Sequence, residues 1–224
     1  MESISQKASE RGNGSVDGAL SRAIFIVDDD DAVRDSLQIL LGTEGYRTAV
    51  FGSALDFLDA YTAGQVGCLL ADVRMPDMSG LDLQEILAER QLHLPVVIIT
   101  GHGDVSMAVR AMKAGAVDFI EKPFVDTTIL ESVRRALSRA DRPRGDEALA
   151  AEAEARLQAL TPREREVLER LVLGRPNKII AFELNISPRT VEIHRARVME
   201  KMQADSLSHL VRLALAAKVQ PSGS

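Results

Sequence analysis

Asp28 and Asp29 close the first short apolar run of the chain, Asp72 closes a later one, Thr100 ends another, and Lys122 follows a fourth just before Pro123. Singly, each has an ordinary explanation: a capped turn, a loop hydroxyl, a surface cation. As a set they supply carboxylates, a hydroxyl and an ammonium, the equipment for moving a phosphoryl group onto a carboxylate. Clustered aspartates repel one another unless a hard cation sits among them, and Mg²⁺ takes oxygen ligands in octahedral geometry at about 2.0–2.1 Å. With that charge balanced, Asp72 stays ionised and is a nucleophile toward phosphorus. Lys122 and the Thr100 hydroxyl would then stabilise charge on the transferred oxygens. A calcium loop starting at Asp28 is excluded, because Val33 stands where such a loop needs Gly and Ile39 where it needs Glu.

These residues act together only if one scaffold brings them to one edge. Short apolar runs at Ala23–Val27, Thr48–Phe51, Cys68–Ala71, Val96–Thr100 and Val117–Ile120 read as strands. Helical spacing fills the intervals: Val33, Leu37, Leu40 and Leu41 before the stop signal Gly45, then Ser53–Ala60, Leu81–Arg90, Val105–Lys113 and Thr127–Ala140. Five strand-helix units of this kind predict a doubly wound, five-stranded parallel α/β sheet, whose ligand crevice lies outside the carboxyl ends of the strands. Each candidate residue falls at such an end.

The segments Val27-Asp28-Asp29, Asp72-Val73-Arg74-Met75-Pro76-Asp77-Met78-Ser79-Gly80, Thr100-Gly101-His102-Gly103-Asp104 and Glu121-Lys122-Pro123-Phe124 closely resemble the receiver domains of two-component response regulators. The resemblance covers about residues 22–140 and implies a flavodoxin-like or CheY-like fold. It implies Asp72 as phosphoacceptor, with Mg²⁺ held by Asp28, Asp29, Asp72 and the backbone carbonyl of Arg74. It further implies Lys122 and Thr100 on the phosphoryl group, Phe119 as an aromatic switch, and a cis Lys122-Pro123 peptide. An aspartyl-phosphate phosphohydrolase is the enzyme alternative, but it would want a second Asp two residues after Asp72, where Arg74 stands, and a substrate cap. A regulator rather than an enzyme is expected.

Pro143 and Gly145 should break the fifth helix, after which Asp146–Leu160 reads as a mostly helical connector. Beyond it the chain is all helical. Ile179, Ile180 and Leu184 read as the apolar face of a short helix, Asn185-Ile186 as a turn, and Ser187-Pro188 as N-cap and first residue of the next helix. Along that second helix Val191, His194, Val198 and Met202 repeat at core spacing. Arg189, Glu192, Arg195 and Met199 then read as the outer stripe that would enter a DNA major groove. Arg reads guanine and Glu accepts from cytosine, whereas Lys178, Thr190 and Arg197 are placed for phosphate contacts. The segments Leu160-Thr161-Pro162-Arg163-Glu164-Arg165-Glu166-Val167-Leu168, Asn177-Lys178 and Ser187-Pro188-Arg189-Thr190-Val191-Glu192-Ile193-His194 are similar to LuxR/NarL output domains, specifically the FixJ-like branch.

The expected organisation is a disordered tail over 1–20, a receiver over 21–140, a partly helical linker over 141–156 and a helix-turn-helix DNA-binding domain over 157–220. Charge agrees with it. Residues 156–224 hold 12 Lys and Arg against 7 Asp and Glu, although the whole chain is at −6. Cys68 lies in an apolar run with no second cysteine to pair with, and no stretch of about 18 apolar residues occurs, so a cytoplasmic protein that does not enter the membrane is expected. The resemblance implies a sensor histidine kinase, promoter DNA and RNA polymerase as partners, and a homodimer on phosphorylation, through Val109, Lys113 and the last helix, whose Leu207, Leu210, Val211 and Leu215 read equally well as intradomain core. Ala32, Ser36 and Ile39 on the first helix read as a partner-facing stripe for the kinase. A phosphorylation-controlled protein-binding module that never touches DNA is the remaining alternative.

Overall fold

A computed structural model describes residues 22–101, 103–141 and 146–219. The expected tail over 1–20, the helix break at Pro143 and Gly145, and His102 lie outside the described residues. The chain runs β1 (Ala23–Val27), α1 (Asp31–Thr43), β2 (Arg47–Phe51), α2 (Ala54–Ala60), β3 (Gly67–Asp72), α3 (Gly80–Glu89), β4 (Val96–Thr100), α4 (Val105–Lys113), β5 (Asp118–Glu121) and α5 (Asp126–Asp141). Helices then follow without further strands: α6 (Asp146–Leu157), α7 (Pro162–Val172), α8 (Asn177–Glu183), α9 (Pro188–Lys201) and α10 (Leu207–Ala216).

The five strands form one parallel sheet in the order β2-β1-β3-β4-β5, the expected doubly wound architecture. Both faces are covered, which is why the strands read as unbroken apolar runs. Phe25, Val27, Leu69, Ala71, Val96 and Ile98 face α2, α3 and α4, while Ile24, Ile26, Cys68, Leu70, Val97 and Ile99 face α1 and α5. Gly67 is demanded by close approach, since a Cβ there would stand 1.8 Å from the Ala23 carbonyl oxygen.

Register sets the active edge. Val27 pairs with Ala71, Asp72 with Ile99, and Thr100 with Glu121, so Asp28, Asp72, Thr100 and Lys122 emerge at one level. β5 runs Asp118–Glu121 rather than the expected Val117–Ile120, although the Val117 N–H still donates to Val96 O at 2.7 Å. Asp118 therefore opens a core strand as a buried carboxylate.

In the helical part, Val167, Leu168, Leu171, Ile180, Val191, Val198, Leu210 and Leu213 form a second core. The connector helix α6 docks on this core through Ala153 and Leu157, and Arg156 donates to the Met202 carbonyl at 3.1 Å. Ile180 and Leu184, four apart, are buried, but Ile179 is turned outward, a correction to the expected apolar face of α8. Asn185 takes the left-handed conformation at φ 51° that closes the turn, and Ser187 caps α9 by accepting from Thr190 N–H.

Thr161 and Glu164 form a reciprocal capping box at the start of α7, and Glu164 also accepts from Lys201 Nζ at 2.7 Å, pinning α7 to the end of α9. Burial alone would raise the Glu164 pKa, but the hydrogen bonds from Lys201 and Thr161 outweigh it and hold it below its ordinary 4.5. A lowered folded pKa stabilises above the unfolded value and is lost as pH falls through the folded one. Glu164→Gln is expected to destabilise the helical part by about 1.5–3 kcal/mol at neutral pH. In urea titrations the gap to the native chain should close as the pH falls below the ordinary glutamate range, where the native carboxylate finally protonates.

Candidate functional site

Four local devices hold the acid pocket in place. Asp30 caps α1 by accepting from Ala32 N–H at 2.9 Å, which leaves Asp28 and Asp29 at the turn leaving β1. Arg34 returns from α1 to donate to the Asp28 carbonyl at 2.5 Å. Behind Asp72, the N-terminus of α3 is held close by Gly80, where a Cβ would meet the Asp72 carbonyl oxygen at 2.2 Å. Ser79 caps that helix in a reciprocal box with Asp82.

At the centre, Lys122 Nζ donates to Asp28 Oδ2 and Asp72 Oδ1, both at 2.7 Å. Asp28 and Asp72 are almost fully buried, and Thr100 beside them is entirely so. Burial raises the Asp28 pKa, against the opposing hydrogen bond from Lys122. Burial would lower the Lys122 pKa, yet the hydrogen bonds to the two aspartates override it and raise it, so the ammonium stays charged. The Arg74 N–H donates to Asp72 Oδ2 at 2.5 Å, which turns the Arg74 backbone toward the pocket.

Among the described residues no three His, Cys, Asp or Glu side chains converge closely enough to share an ion, because Lys122 stands between Asp28 and Asp72. The donor set still suits Mg²⁺. Its groups are hard oxygens from Asp28, Asp29 and Asp72, and three carboxylates against one ammonium leave about two negative charges uncompensated.

From this pocket β5 runs inward to the helical part. Phe119 lies against the β4–α4 loop, where a Cβ on Gly103 would stand 2.9 Å from its ring. At the start of the strand, Asp118 accepts from Ser132 and from Ser208 at 2.6 Å each, and from Arg135. Burial alone would raise the Asp118 pKa, but these donors outweigh it and lower it. Ser208 belongs to α10. That helix lays Leu207, Val211 and Leu215 on the α4 side of the sheet while Leu210, Leu213 and Ala214 fill the helical core. Gly174, after α7, fits against Ser106 at the start of α4.

The expected reading helix α9 presents Arg189 and Glu192 to solvent as an ion pair at 3.2 Å. Thr190 is half-buried and hydrogen-bonds to Ser187 through their hydroxyls at 2.8 Å. Lys178 sits exposed in the first turn of α8, and Arg197 is exposed. The outer stripe is corrected. Met199 packs against the helical core, and Arg195, four residues after buried Val191, is desolvated enough to lower its guanidinium pKa. The exposed surface runs instead through Arg189, Glu192, Ile193, Ala196 and Arg197.

A parallel sheet with a Lys-bridged aspartate pocket and a C-terminal helix-turn-helix defines a response regulator with a DNA-binding output domain. The family profile of the response regulator receiver domain matches residues 24–134, and that of the bacterial regulatory proteins of the luxR family matches residues 158–214. The transcriptional regulatory protein FixJ of Rhizobium meliloti (strain 1021) is 52% identical over 199 residues, 89% of this chain and 98% of that protein. The response regulator TmoT of Ectopseudomonas mendocina is 44% identical, over 85% of this chain and 86% of its own length. The chain belongs to the FixJ-like transcriptional regulators and is not an enzyme. Full-length FixJ from B. japonicum, solved by crystallography, is 47% identical and covers 88% of this chain and 97% of its own, with a TM-score of 0.51. The response regulator StyR is 40% identical, covers 87% and 98%, and scores 0.53.

Asp28, Asp72, Thr100 and Lys122 thus come together, Asp29 stays at the exposed rim and Phe119 joins the pocket to β5. The linkage Asp118, Ser132, Arg135 and Ser208 was missed in the sequence reading. Its signal was a carboxylate inside the apolar run Val117–Ile120, a core position that needs a buried partner. Gly80→Ala should displace the Asp72 backbone and slow labelling of the chain by acetyl phosphate about tenfold or more, with circular dichroism showing a retained fold. Labelling at the native rate would show that the close contact has no bearing on Asp72.

Proposed function

We propose that a sensor histidine kinase passes its phosphoryl group to Asp72, and that this controls promoter binding by the helix-turn-helix. The observation that carries the reading is the double hydrogen bond of Lys122 to Asp28 and Asp72, at the end of a strand whose start is fastened to α10. The Asp72 carboxylate, hydrogen-bonded by Lys122, attacks phosphorus; the P–O bond forms as the P–N bond to the kinase histidine breaks, and the imidazole leaves with a proton. Asp28, Asp29, Asp72 and the Arg74 carbonyl are the residues that would hold Mg²⁺, which when bound supplies charge neutralisation for incoming phosphoryl oxygens. Lys122 and the Thr100 hydroxyl hold the transferred group. Ile39, 68% exposed beside Ala32 and Ser36, supports a kinase-facing patch on α1.

Phosphorylation biases two packings of the same chain. In the docked packing Val109 is buried under the helical part, so this candidate dimer contact is covered while Lys113 stays exposed. When Thr100 shifts toward a phosphoryl group, Phe119 beside Gly103 follows, and the strand that anchors Ser208 moves with it. α10 then leaves α4 and β5, freeing both for a homodimer. On the duplex Arg189 and Glu192 read bases, Lys178, Thr190 and Arg197 hold phosphates, and Arg195 contributes from the flank. Ile179 and Phe182, exposed on α8, leave an apolar surface for RNA polymerase, and a duplex target requires a cytoplasmic protein.

Acetyl phosphate with Mg²⁺ is expected to add one base-labile phosphoryl group, read by intact mass, and to tighten promoter binding in fluorescence anisotropy; Asp72→Asn should lose both. Removing the fastening with Ser208→Ala and Val211→Ala together should raise duplex binding of the unphosphorylated chain about tenfold, the equivalent of about 1.4 kcal/mol. Equal labelling of the Asn variant would sink the acceptor assignment, and unchanged binding of the double variant would sink the covering role of α10.

Holding and reading should fail differently. Lys178→Ala is expected to weaken operator and scrambled duplexes alike and to reduce the salt slope by about one phosphate contact, whereas Glu192→Ala should relax preference at one base position by about 1–3 kcal/mol. Isotherms at several salt concentrations separate the two. A Glu192 variant with an unchanged operator-to-scrambled ratio would remove that residue from base reading.

A further inference from the structure

Where the two domains meet, a half-open cleft of about 910 Å³ lies between the end of α4, the outer face of α5, the connector helix α6 and α10. That size suits a small molecule, and clefts at domain interfaces are common ligand sites. Its floor is apolar, with Met112, Leu149 and Leu215 among the lining groups. Its rim is cationic. Four arginines and a lysine line it, and among the described lining residues there is no Asp or Glu.

Two of these cations are already compensated: Arg134 pairs with Glu44 and Arg135 with Asp118. Arg139, Arg212 and Lys218 have no carboxylate at ion-pair distance among the described residues. Arg139 reaches only the Gly115 carbonyl, at 3.5 Å, and Arg212 only the Val117 carbonyl, at 3.4 Å. The Nε atoms of Arg212 and Arg135 are buried without a hydrogen-bond partner. Desolvation and then the charge of Arg135 push the Arg212 pKa down, against the pull of the more distant Asp118 and Asp205. Unused guanidinium donors over an apolar floor match a carboxylate or phosphate head carried on an apolar body.

We infer that this cleft binds a small amphipathic anion, its acidic head on Arg212 and Arg139 and its apolar body between Met112, Leu149 and Leu215. Because the lining comes from both domains and from α6, the bound anion holds them in the docked packing. By reciprocity it opposes whatever undocks them. The binding site stands independently, whereas this effect on DNA rests on the release mechanism proposed above.

The test is isothermal titration of the unphosphorylated full chain with decanoate, decyl phosphate and, as an anion without a body, sulfate. Saturable binding of one decanoate or decyl phosphate per chain is expected, the tighter of the two naming the head group. Arg212→Ala should weaken it at least tenfold. Ala216→Trp, which fills the cleft and keeps every cation, should abolish it, with thermal melting of both variants reporting the fold. No saturable binding, equal binding of sulfate, or native affinity in both variants would overturn the site. In a second arm, the bound amphiphile should lower duplex affinity of the acetyl-phosphate-treated chain. Binding without any change in duplex affinity would keep the site and overturn only the release mechanism.

Discussion

Two carboxylates cannot share the dry edge of a sheet without a cation, and the rest of this molecule is arranged around how that need is met. Lys122 supplies the charge, at 2.7 Å from both Asp28 and Asp72. It does so only because the parallel register brings the ends of β1, β3 and β5 to one level. The arrangement is under-compensated: three acids face one ammonium, a deficit that a divalent cation would fill.

β5 carries that electrostatic event across the protein in very few residues. Lys122 follows its end, Phe119 lies in its middle against Gly103, and Asp118 opens it, fastened to Ser208 of α10. A buried carboxylate with hydroxyl and guanidinium donors is stable only while all of them stay. Losing Ser208 removes one of the two donors to Asp118 Oδ1, the other being the Phe119 N–H at 3.0 Å, and such a bond is worth about 1.5–3 kcal/mol where a charged group is involved.

α10 is the second joint. Its Leu210, Leu213 and Ala214 complete the helical core, while Leu207, Val211 and Leu215 lie against the receiver. Apolar residues on both faces would be unusual for an isolated surface helix. Here one helix completes the core of its own domain and also packs against the neighbouring domain. The cationic cleft opens beside this joint and shares Leu215 with it, so charge and apolar contact meet at the same seam.

Much of this was legible in the residue order, because it depends on local rules. Aspartates ending apolar runs, Lys122 before Pro123, and Ser187-Pro188 opening a helix are short-range signals whose geometry follows from strand ends and caps. The exposed stripe of Ala32, Ser36 and Ile39 on α1 also follows from helical period alone. Period was less decisive at Arg195 and Met199, which lie one step from the core face. There the packing of α9 against α7 and α8 decides exposure, so both were expected outside and are partly covered. The sequence likewise left Leu207, Val211 and Leu215 open between core and dimer surface, since an apolar side chain is attracted to any apolar neighbour without direction. Only the tertiary structure, by bringing Ser208 within 2.6 Å of Asp118 from 90 positions away, decided that those residues meet the receiver. Hydrogen-bond partners that distant leave no periodic trace in the chain, so the residues that do the chemistry were written in the sequence and the contacts that govern their use were not.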